Sequence, residues 1–179
     1  METITTDGIV ITNTTNDDWN DVLWLFGEAM KLQGKNGYHV WEAIDMSGLK
    51  CDIENKLQYK ILKGNDMLCI FSIQFCDPYI WKDRDQNDAI YLHRIVVNPN
   101  FKGQKQFQHV LFWAKQFIRA HNLRFIRMDT WADNNRIIDY YKSFGFRFVG
   151  NCQTTDVPEL PIQNRNLNLA LLEIELTPK

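Results

Sequence analysis

The ten residues from Val96 to Lys105 carry the clearest chemistry in the sequence. They read Val96-Val97-Asn98-Pro99-Asn100-Phe101-Lys102-Gly103-Gln104-Lys105, and an apolar helical stripe follows them. A turn that opens a helix presents unpaired backbone N–H groups at the positive end of the helix dipole, which suits an anion. Lys102 and Lys105 add cationic side chains that would suit a pyrophosphate. The same pattern is equally typical of an ordinary strand-to-helix connection with solvated lysines.

A second block of polar and aromatic residues follows one helix and one strand later. It comprises Asp129-Thr130, Asn134 and Tyr140-Tyr141-Lys142-Ser143-Phe144-Gly145-Phe146. Together the two blocks resemble the GNAT N-acetyltransferase superfamily, in which a motif N-x-x-A-x-x-L-Y-x-x-x-G-F follows the acetyl-CoA loop. The matching positions are Asn134, Tyr141, Gly145 and Phe146, while Ile137 takes the small-residue place and Tyr140 the leucine place.

The phosphate loop departs from the family pattern Q/R-x-x-G-x-G/A. The segment here is Lys102-Gly103-Gln104-Lys105-Gln106-Phe107, so Lys105 and Phe107 stand where the family has glycine or alanine. Glycine lets the backbone approach the pyrophosphate without a Cβ in the way. The donors are nevertheless main-chain amides, which any residue supplies. Phe107 begins the apolar helical stripe, and this position favours core packing over a ligand contact.

The resemblance implies acetyl-CoA as cosubstrate and a set of residues that would hold it. These are Ile95, Val96, Val97, Lys102, Gly103, Gln104, Lys105, Gln106, Phe107, Asn134 and Tyr141. It further implies that the main chain of the strand Leu92 to Val97 holds the pantetheine, that an amide near its end polarises the thioester carbonyl, and that Asn134 contacts the pantetheine or pyrophosphate arm. Tyr141 would protonate the coenzyme A sulfur, with Tyr140, which points about 100° away on the helix, as the fallback. We expect no metal in this site.

The base that deprotonates the amine is the least defined part of the expected mechanism. Members of the family often carry a glutamate on the strand before the loop, and His93 stands at about that place here. An unperturbed histidine pKa near 6.5 suits the task. A purely structural histidine fits the pattern as well, and Asp129 and Glu42 are alternatives.

Bulk properties limit the function classes. A net charge of -2 and a pI near 6.1 give no general attraction to nucleic acid or acidic membranes. The N-terminus lacks a basic, then apolar leader and no run is long enough to span a bilayer, so we expect a cytoplasmic protein. The four cysteines show no CxxC pair and are expected to be reduced, buried thiols. Monomer and homodimer both stay open.

Strand and helix patterns alternate along the chain. They predict one α+β domain over residues 1–179, with a central mixed, partly parallel twisted sheet of about six or seven strands flanked by about four helices. Residues 41–56 predict a short helix or two, interrupted at Ser47-Gly48. Trp81 to Asp88 predict a charged loop, in which Lys82-Asp83-Arg84-Asp85 is expected to be solvated. The strand Ala89 to Val97, stopped by Pro99, is the most strongly β-prone.

Three functions fit these observations. The first is N-acetylation of a primary amine of a small molecule or peptide, with an acceptor pocket walled by aromatics. The candidates for that wall are Tyr38, Trp41, Tyr79, Trp81 and Trp131. The second, motivated by the missing loop glycines, is a non-catalytic module that binds acyl-CoA as a sensor. The third is a domain that binds no coenzyme A.

Overall fold

A computed structural model describes residues 3–4, 8–35, 43–160 and 164–176 of the chain, the first pair as backbone only. The strands are β1 Thr3–Ile4, β2 Ile9–Asn13, β3 Gln58–Lys63, β4 Asp66–Gln74, β5 Ala89–Val97, β6 Phe125–Trp131, β7 Arg147–Gln153 and β8 Asn168–Glu175. The helices are α1 Trp19–Lys35, α2 Met46–Glu54, α3 Pro78–Trp81, α4 Phe107–Ala120 and α5 Asn135–Lys142. The predicted mixed α+β class is confirmed, with β5 at the bounds that the sequence pattern indicated.

A first compact unit comprises Met1–Ser72 and Arg94–Trp113. In it β1, β2, β3 and β4 form an antiparallel series, and the turn between β3 and β4 contains Gly64 in the left-handed conformation at φ 59°. Helix α1 packs on this sheet through buried apolar residues. The buried residues of this core are Val22, Leu25, Phe26, Leu49, Ile70 and Val96.

A second compact unit comprises Ile73–His93 and Ala114–Lys179. The first half of β5 pairs in parallel with β6, β6 pairs with β8 in antiparallel fashion, and β8 does the same with β7. The parallel pair confirms the crossover that the strand-helix-strand order predicted. The buried core residues are Ile80, Trp81, Ala89, Tyr91, Phe125, Cys152, Leu160, Leu169 and Leu171.

Two local expectations were wrong. Ser47-Gly48 does not interrupt a helix, because α2 runs through both residues and the Gly48 N–H donates to the Asp45 carboxylate at 2.9 Å. Glycine therefore lies in the first turn, where the N–H needs a capping partner outside the helix. The charged stretch from Trp81 is not a simple loop either. It closes α3 and continues as a 3₁₀ turn, Lys82–Arg84, with the Trp81 side chain in the core.

The cysteines only partly follow expectation. All four are free thiols, and Cys69 and Cys152 are buried, but Cys51 and Cys76 are exposed. The expectation of burial was wrong for those two, since both lie outside the buried strand positions. None of the helices in the described part of the chain is long and apolar enough to cross a membrane.

Arg127 on β6 forms a buried ion pair with Glu173 on β8. The Arg127 Nε donates to Glu173 at 2.8 Å, and both side chains are 5% exposed. The guanidinium also donates to the Arg84 carbonyl at 2.6 Å and to the Tyr91 hydroxyl at 3.2 Å. It stacks on the Trp81 ring at 5.0 Å. Arg147 lies 3.6 Å from the other oxygen of Glu173, and Asp88 lies 3.4 Å from the guanidinium of Arg127. A buried charge with this many partners is compensated, and removal of either member of the central pair leaves the other with weaker partners.

We expect Arg127→Leu to lower the free energy of unfolding by about 3 kcal/mol, because Glu173 then stays buried and keeps only the exposed Arg147, at 3.6 Å, as an ion-pair partner among the described residues. Urea unfolding at neutral pH measures this loss. Arg124→Leu is the matched control, since Arg124 binds the exposed Glu175 and little change is expected there. Equal losses in the two variants would contradict the assigned role of the buried pair.

Candidate active site

His93 on β5 lies between two carboxylates in the second unit. Its Nε2 is 3.4 Å from Asp77 Oδ2, and its Nδ1 is 4.0 Å from Asp129 Oδ1. The strand register explains the second contact. Tyr91 pairs with Arg127 in the parallel ladder, so the residues two positions further on, His93 and Asp129, project to the same face. Asp77 reaches the group from the residue that precedes α3.

The electrostatics of this group differ from those of a solvated surface. Burial raises the pKa of Asp129 to about 6, the charge of His93 works against this rise, and the Asp77 carboxylate adds to it. A carboxyl with a pKa near 6 can accept a proton at neutral pH, as a general base must. His93 and Asp129, both base candidates from the sequence, therefore lie together, and Glu42 lies outside the described residues.

Arg94, directly after His93, interrupts β5. Its φ of 51° is left-handed, which is strained for a residue with a side chain. The guanidinium forms an ion pair with Asp52 on α2 and lies 3.9 Å from the Asp45 carboxylate at the start of that helix. These contacts hold the strained backbone just before the segment Ile95 to Val97. In that segment Val96 packs in the core, and Val97 is exposed.

The turn after β5 is tied to β4 by Asn98. The side chain of Asn98 accepts from the Asn100 N–H at 3.0 Å and donates to the Met67 carbonyl at 2.8 Å. Further on, Gly103 has φ 85° and Lys105 has φ 55°. Lys105 therefore takes the left-handed conformation that glycine adopts most readily, at a cost of about 1 kcal/mol. The residue type differs from the family pattern, but the backbone shape that glycine favours is present.

The same turn offers several donors to an anion. No described residue accepts from the backbone N–H groups of Gly103, Gln104 or Lys105, and the exposed ammonium groups of Lys102 and Lys105 form no ion pair within the described ranges. Gln106 is buried and donates to the Phe101 carbonyl at 3.1 Å. The Phe107 ring is also buried, at the first turn of α4. Gln106 and Phe107 could therefore contact a ligand only through their backbone atoms.

Helix α5 carries the two residues of the second sequence block. The Asn134 side-chain oxygen accepts from the Ile137 N–H at 3.2 Å and so caps the helix. The Tyr141 ring lies 5.4 Å from that of Tyr140 and 6.2 Å from that of Phe146. Tyr141 is half-buried, whereas Tyr140 is 39% exposed. Asn134 and Tyr141 belong to the second unit with His93, and the turn 102–107 belongs to the first.

The aromatic residues expected around the acceptor are placed unequally. Trp81 is 1% exposed and belongs to the core, and Trp131 packs against the same core. Tyr79 is 44% exposed. Tyr38 and Trp41 lie outside the described residues. Among the described residues of this predicted wall, Tyr79 is the most exposed.

The sequence reasoning missed Asp77 and the pair formed by Arg94 and Asp52. An arginine within an otherwise apolar strand was the available signal for the second feature. Asp77 stands in an Asp-Pro step after a buried strand, which is a helix-start signal and says nothing about chemistry. Its approach to His93 depends on tertiary structure alone.

Residues 71–146, which include β5, the turn, β6 and α5, match the model of the acetyltransferase (GNAT) family. This match supports the resemblance to the GNAT superfamily that the two sequence blocks indicated. YesJ, an uncharacterized N-acetyltransferase of Bacillus subtilis, is 35% identical to it over 74 residues. That match covers 41% of this chain and 41% of YesJ, so the chain spans about two fifths of the length of this relative.

Solved structures share the fold over nearly the whole chain. A GNAT-family acetyltransferase from Listeria monocytogenes superposes with a TM-score of 0.77 at 20% identity, over 98% of this chain and 100% of that one. YncA, a putative acetyltransferase from Salmonella typhimurium solved with its cofactor acetyl-CoA, gives a TM-score of 0.65 at 13% identity, over 96% and 95% of the two chains. These likenesses establish the fold.

Asp129→Asn is expected to stabilise the protein at pH 8, because it removes a buried charge. A folded pKa of about 6 against 3.8 in the unfolded chain corresponds to a gain of up to about 3 kcal/mol. The gain decreases as the pH falls through 6 and is absent below about pH 4, where the wild-type carboxyl is protonated in both states. Urea unfolding of the two proteins between pH 4 and pH 8 measures it.

Asp139→Asn serves as the control, since the Asp139 side chain is 76% exposed and its stability difference should not vary with pH. A constant difference between wild type and Asp129→Asn over the whole range would contradict the raised pKa of Asp129.

Proposed function

We propose that this protein transfers an acetyl group from acetyl-CoA to a primary amine of a small molecule or peptide by direct attack. The observation that carries the proposal is His93 held beside Asp77 and Asp129, next to the left-handed break at Arg94. All four residues lie inside the segment that matches the acetyltransferase family. The group offers a proton acceptor, which this chemistry needs.

The donors of the turn fit the phosphates of acetyl-CoA. The N–H groups of Gly103, Gln104 and Lys105 would bind the pyrophosphate, with Lys102 and Lys105 as added charge. The main chain of Ile95 to Val97 would hold the pantetheine arm, and Asn134 would contact the cofactor. Acetyl-CoA supplies the thioester that is attacked. YncA, with its similar fold and bound acetyl-CoA, supports this assignment.

Amine attack requires a neutral nitrogen, and a simple alkyl amine is protonated at neutral pH. His93 would take that proton, directly or through water, with Asp129 as the neighbouring acceptor. A main-chain N–H between Ile95 and Val97 would stabilise the oxyanion, as preorganised amides do in acyl transfer. The Tyr141 hydroxyl would give its proton to the departing thiolate.

Tyr141→Phe should lower kcat by about 100-fold, because the thiolate then leaves without its proton donor. The KM for acetyl-CoA should stay within about twofold, since the ring packing on Tyr140 and Phe146 is kept. Release of free thiol from acetyl-CoA with a panel of primary amines gives both values. Tyr140→Phe is the matched control and should keep full activity. Equal effects of the two changes would remove the acid role from Tyr141.

Lys102→Ala and Lys105→Ala should each raise the Kd for coenzyme A by about tenfold, as expected for the loss of one charge-assisted contact. Isothermal titration at low and high salt measures the affinity and its dependence on charge. Lys63→Ala, an exposed lysine at the end of β3, should leave the Kd unchanged. An unchanged Kd in both loop variants would place the phosphates elsewhere.

The sensor function is the second candidate, because Lys105 and Phe107 replace the small residues of the family loop. The two functions differ in turnover. Coenzyme A binding with no thiol release for any amine would support the sensor, and release that depends on Tyr141 would support the enzyme.

A further inference from the structure

One residue in the middle of β5 takes a backbone conformation that strands do not use. Arg94 has φ 51°, in the left-handed region, although β5 runs from Ala89 to Val97. The other described non-glycine residues with positive φ lie in turns, helix ends or loops, and none of them lies inside a strand. A residue with a Cβ stays in this strained conformation only where its surroundings hold it there. The contacts of the Arg94 side chain show what holds it.

The guanidinium of Arg94 lies along one face of α2. Its Nη1 donates to Asp52 in the last turn of that helix, and its Nη2 is 3.9 Å from Asp45 Oδ2 at the N-cap. Residues 45, 48, 49 and 52 share a face because they are spaced by three and four positions. Leu49 on this face packs in the core of the first unit, and Asp52 is 4% exposed. A buried acid of this kind requires a charged or hydrogen-bonding partner, and Arg94 provides one.

The glycine at position 48 leaves room for this ion pair. A Cβ added to Gly48 would overlap the Asp45 carboxylate and would lie 3.3 Å from Arg94 Nη2. That carboxylate has little freedom to move away, since it accepts from the Gly48 N–H and the Ser47 hydroxyl, both at 2.9 Å. Glycine within a helix normally lowers the stability of the helix relative to alanine. Gly48 thus weakens α2 and leaves the space in which the guanidinium approaches it.

Asp45 stays charged beside Arg94. Burial works to raise the pKa of Asp45, but the bonds from Gly48 and Ser47 and the charge of Arg94 outweigh this effect, so the pKa lies below its usual value. The guanidinium is therefore attracted to α2 at two points, one near each end of the helix. Its planar fork of donors is suited to contact both acids. We call the group formed by Asp45, Gly48, Asp52 and Arg94 the α2 clamp.

The α2 clamp fixes one end of the segment Ile95 to Val97, and other contacts fix the rest. In the middle of the segment Val96 is 2% exposed and belongs to the same core cluster as Leu49 of α2. At the far end Asn98 donates to the Met67 carbonyl on β4 at 2.8 Å. All of these residues belong to the first unit. A short segment held at both ends and in its middle has a preorganised main chain, and stabilisation of an oxyanion by amides depends on such preorganisation.

We propose that Arg94 is a positioning residue for acetyl transfer. Held by Asp52 and Asp45, it keeps the main chain of Ile95 to Val97 in the shape that the reaction needs. This inference deepens the proposed function and rests on it, because that segment is assigned there to the pantetheine and the thioester oxygen. Arg94 contacts neither the cofactor nor the amine in this role. It acts through the backbone that follows it, and the attraction within the α2 clamp offsets the strain at φ 51°.

Two substitutions at position 94 separate the backbone conformation from the side chain. Arg94→Ala and Arg94→Gly both lose the guanidinium and leave Asp52 in the same state, but glycine alone adopts a left-handed φ without strain. With propylamine as acceptor, kcat should fall about 100-fold in Arg94→Ala, as for the loss of an oxyanion donor, and Arg94→Gly should recover about tenfold of this loss. The KM for propylamine should change by less than about threefold in both, since the lost contact acts in the transition state. Lys60→Ala, which breaks a similarly buried ion pair with Asp18, should keep the wild-type kcat.

Equal kcat values in the two variants, or a wild-type kcat in Arg94→Ala, would overturn the positioning role and leave the proposed function standing. Crystal structures give φ at residue 94, which should stay left-handed in Arg94→Gly and become extended in Arg94→Ala. If the wild type acetylates no amine, the proposed function fails, and an unchanged φ in Arg94→Ala would then show that the α2 clamp does not hold the backbone. Should either variant fail to fold by circular dichroism, the same comparison in an Asp52→Asn background removes the unpaired buried carboxylate.

Discussion

The parallel register between β5 and β6 sets the chemistry of the second unit. Because Tyr91 lies opposite Arg127, one face of this pair of strands carries first a buried arginine with its tyrosine and then, two residues on, His93 with Asp129. A shift by one residue would turn all of them to the opposite face. The register is therefore a constraint on the fold and on the candidate base at once.

A chain of hydrogen bonds connects this pair of strands to Asp77, the third residue of the group that it forms with His93 and Asp129. Arg127 donates to the Tyr91 hydroxyl at 3.2 Å, this hydroxyl donates to Asp85 at 2.7 Å, and the other oxygen of Asp85 accepts from the Asp77 N–H at 2.9 Å. Burial and the bond to Asp85 raise the pKa of Tyr91 well above its usual range, so this hydroxyl stays a donor. The ion pair of Arg127 with Glu173 thus helps to position Asp77 through a network of satisfied hydrogen bonds. These buried polar residues contribute to the candidate site as well as to stability.

The sequence predicted what depends on local pattern. Strand β5 and helix α4 follow from β-propensity and helical spacing. It also identified His93 and Asp129 as candidates. It could not predict Asp77, since nothing local distinguishes a capping aspartate from one that faces a histidine on another strand. Trp81 was assigned to a pocket wall for the same reason: its core position depends on Arg127, which lies 46 residues away in the sequence.

Lys105 shows that the loss of a glycine does not by itself change the backbone conformation of the loop. A glycine is favoured at such a position for its left-handed backbone and for the absence of a Cβ, and these are separate properties. At φ 55° Lys105 has the left-handed backbone, at a cost of about 1 kcal/mol, but it also has a Cβ. Its amide remains a donor with no described acceptor, and its side chain adds a charge at the same turn. The substitution exchanges close backbone approach for electrostatic attraction. An anion site of this kind would depend more strongly on salt than one built from glycines.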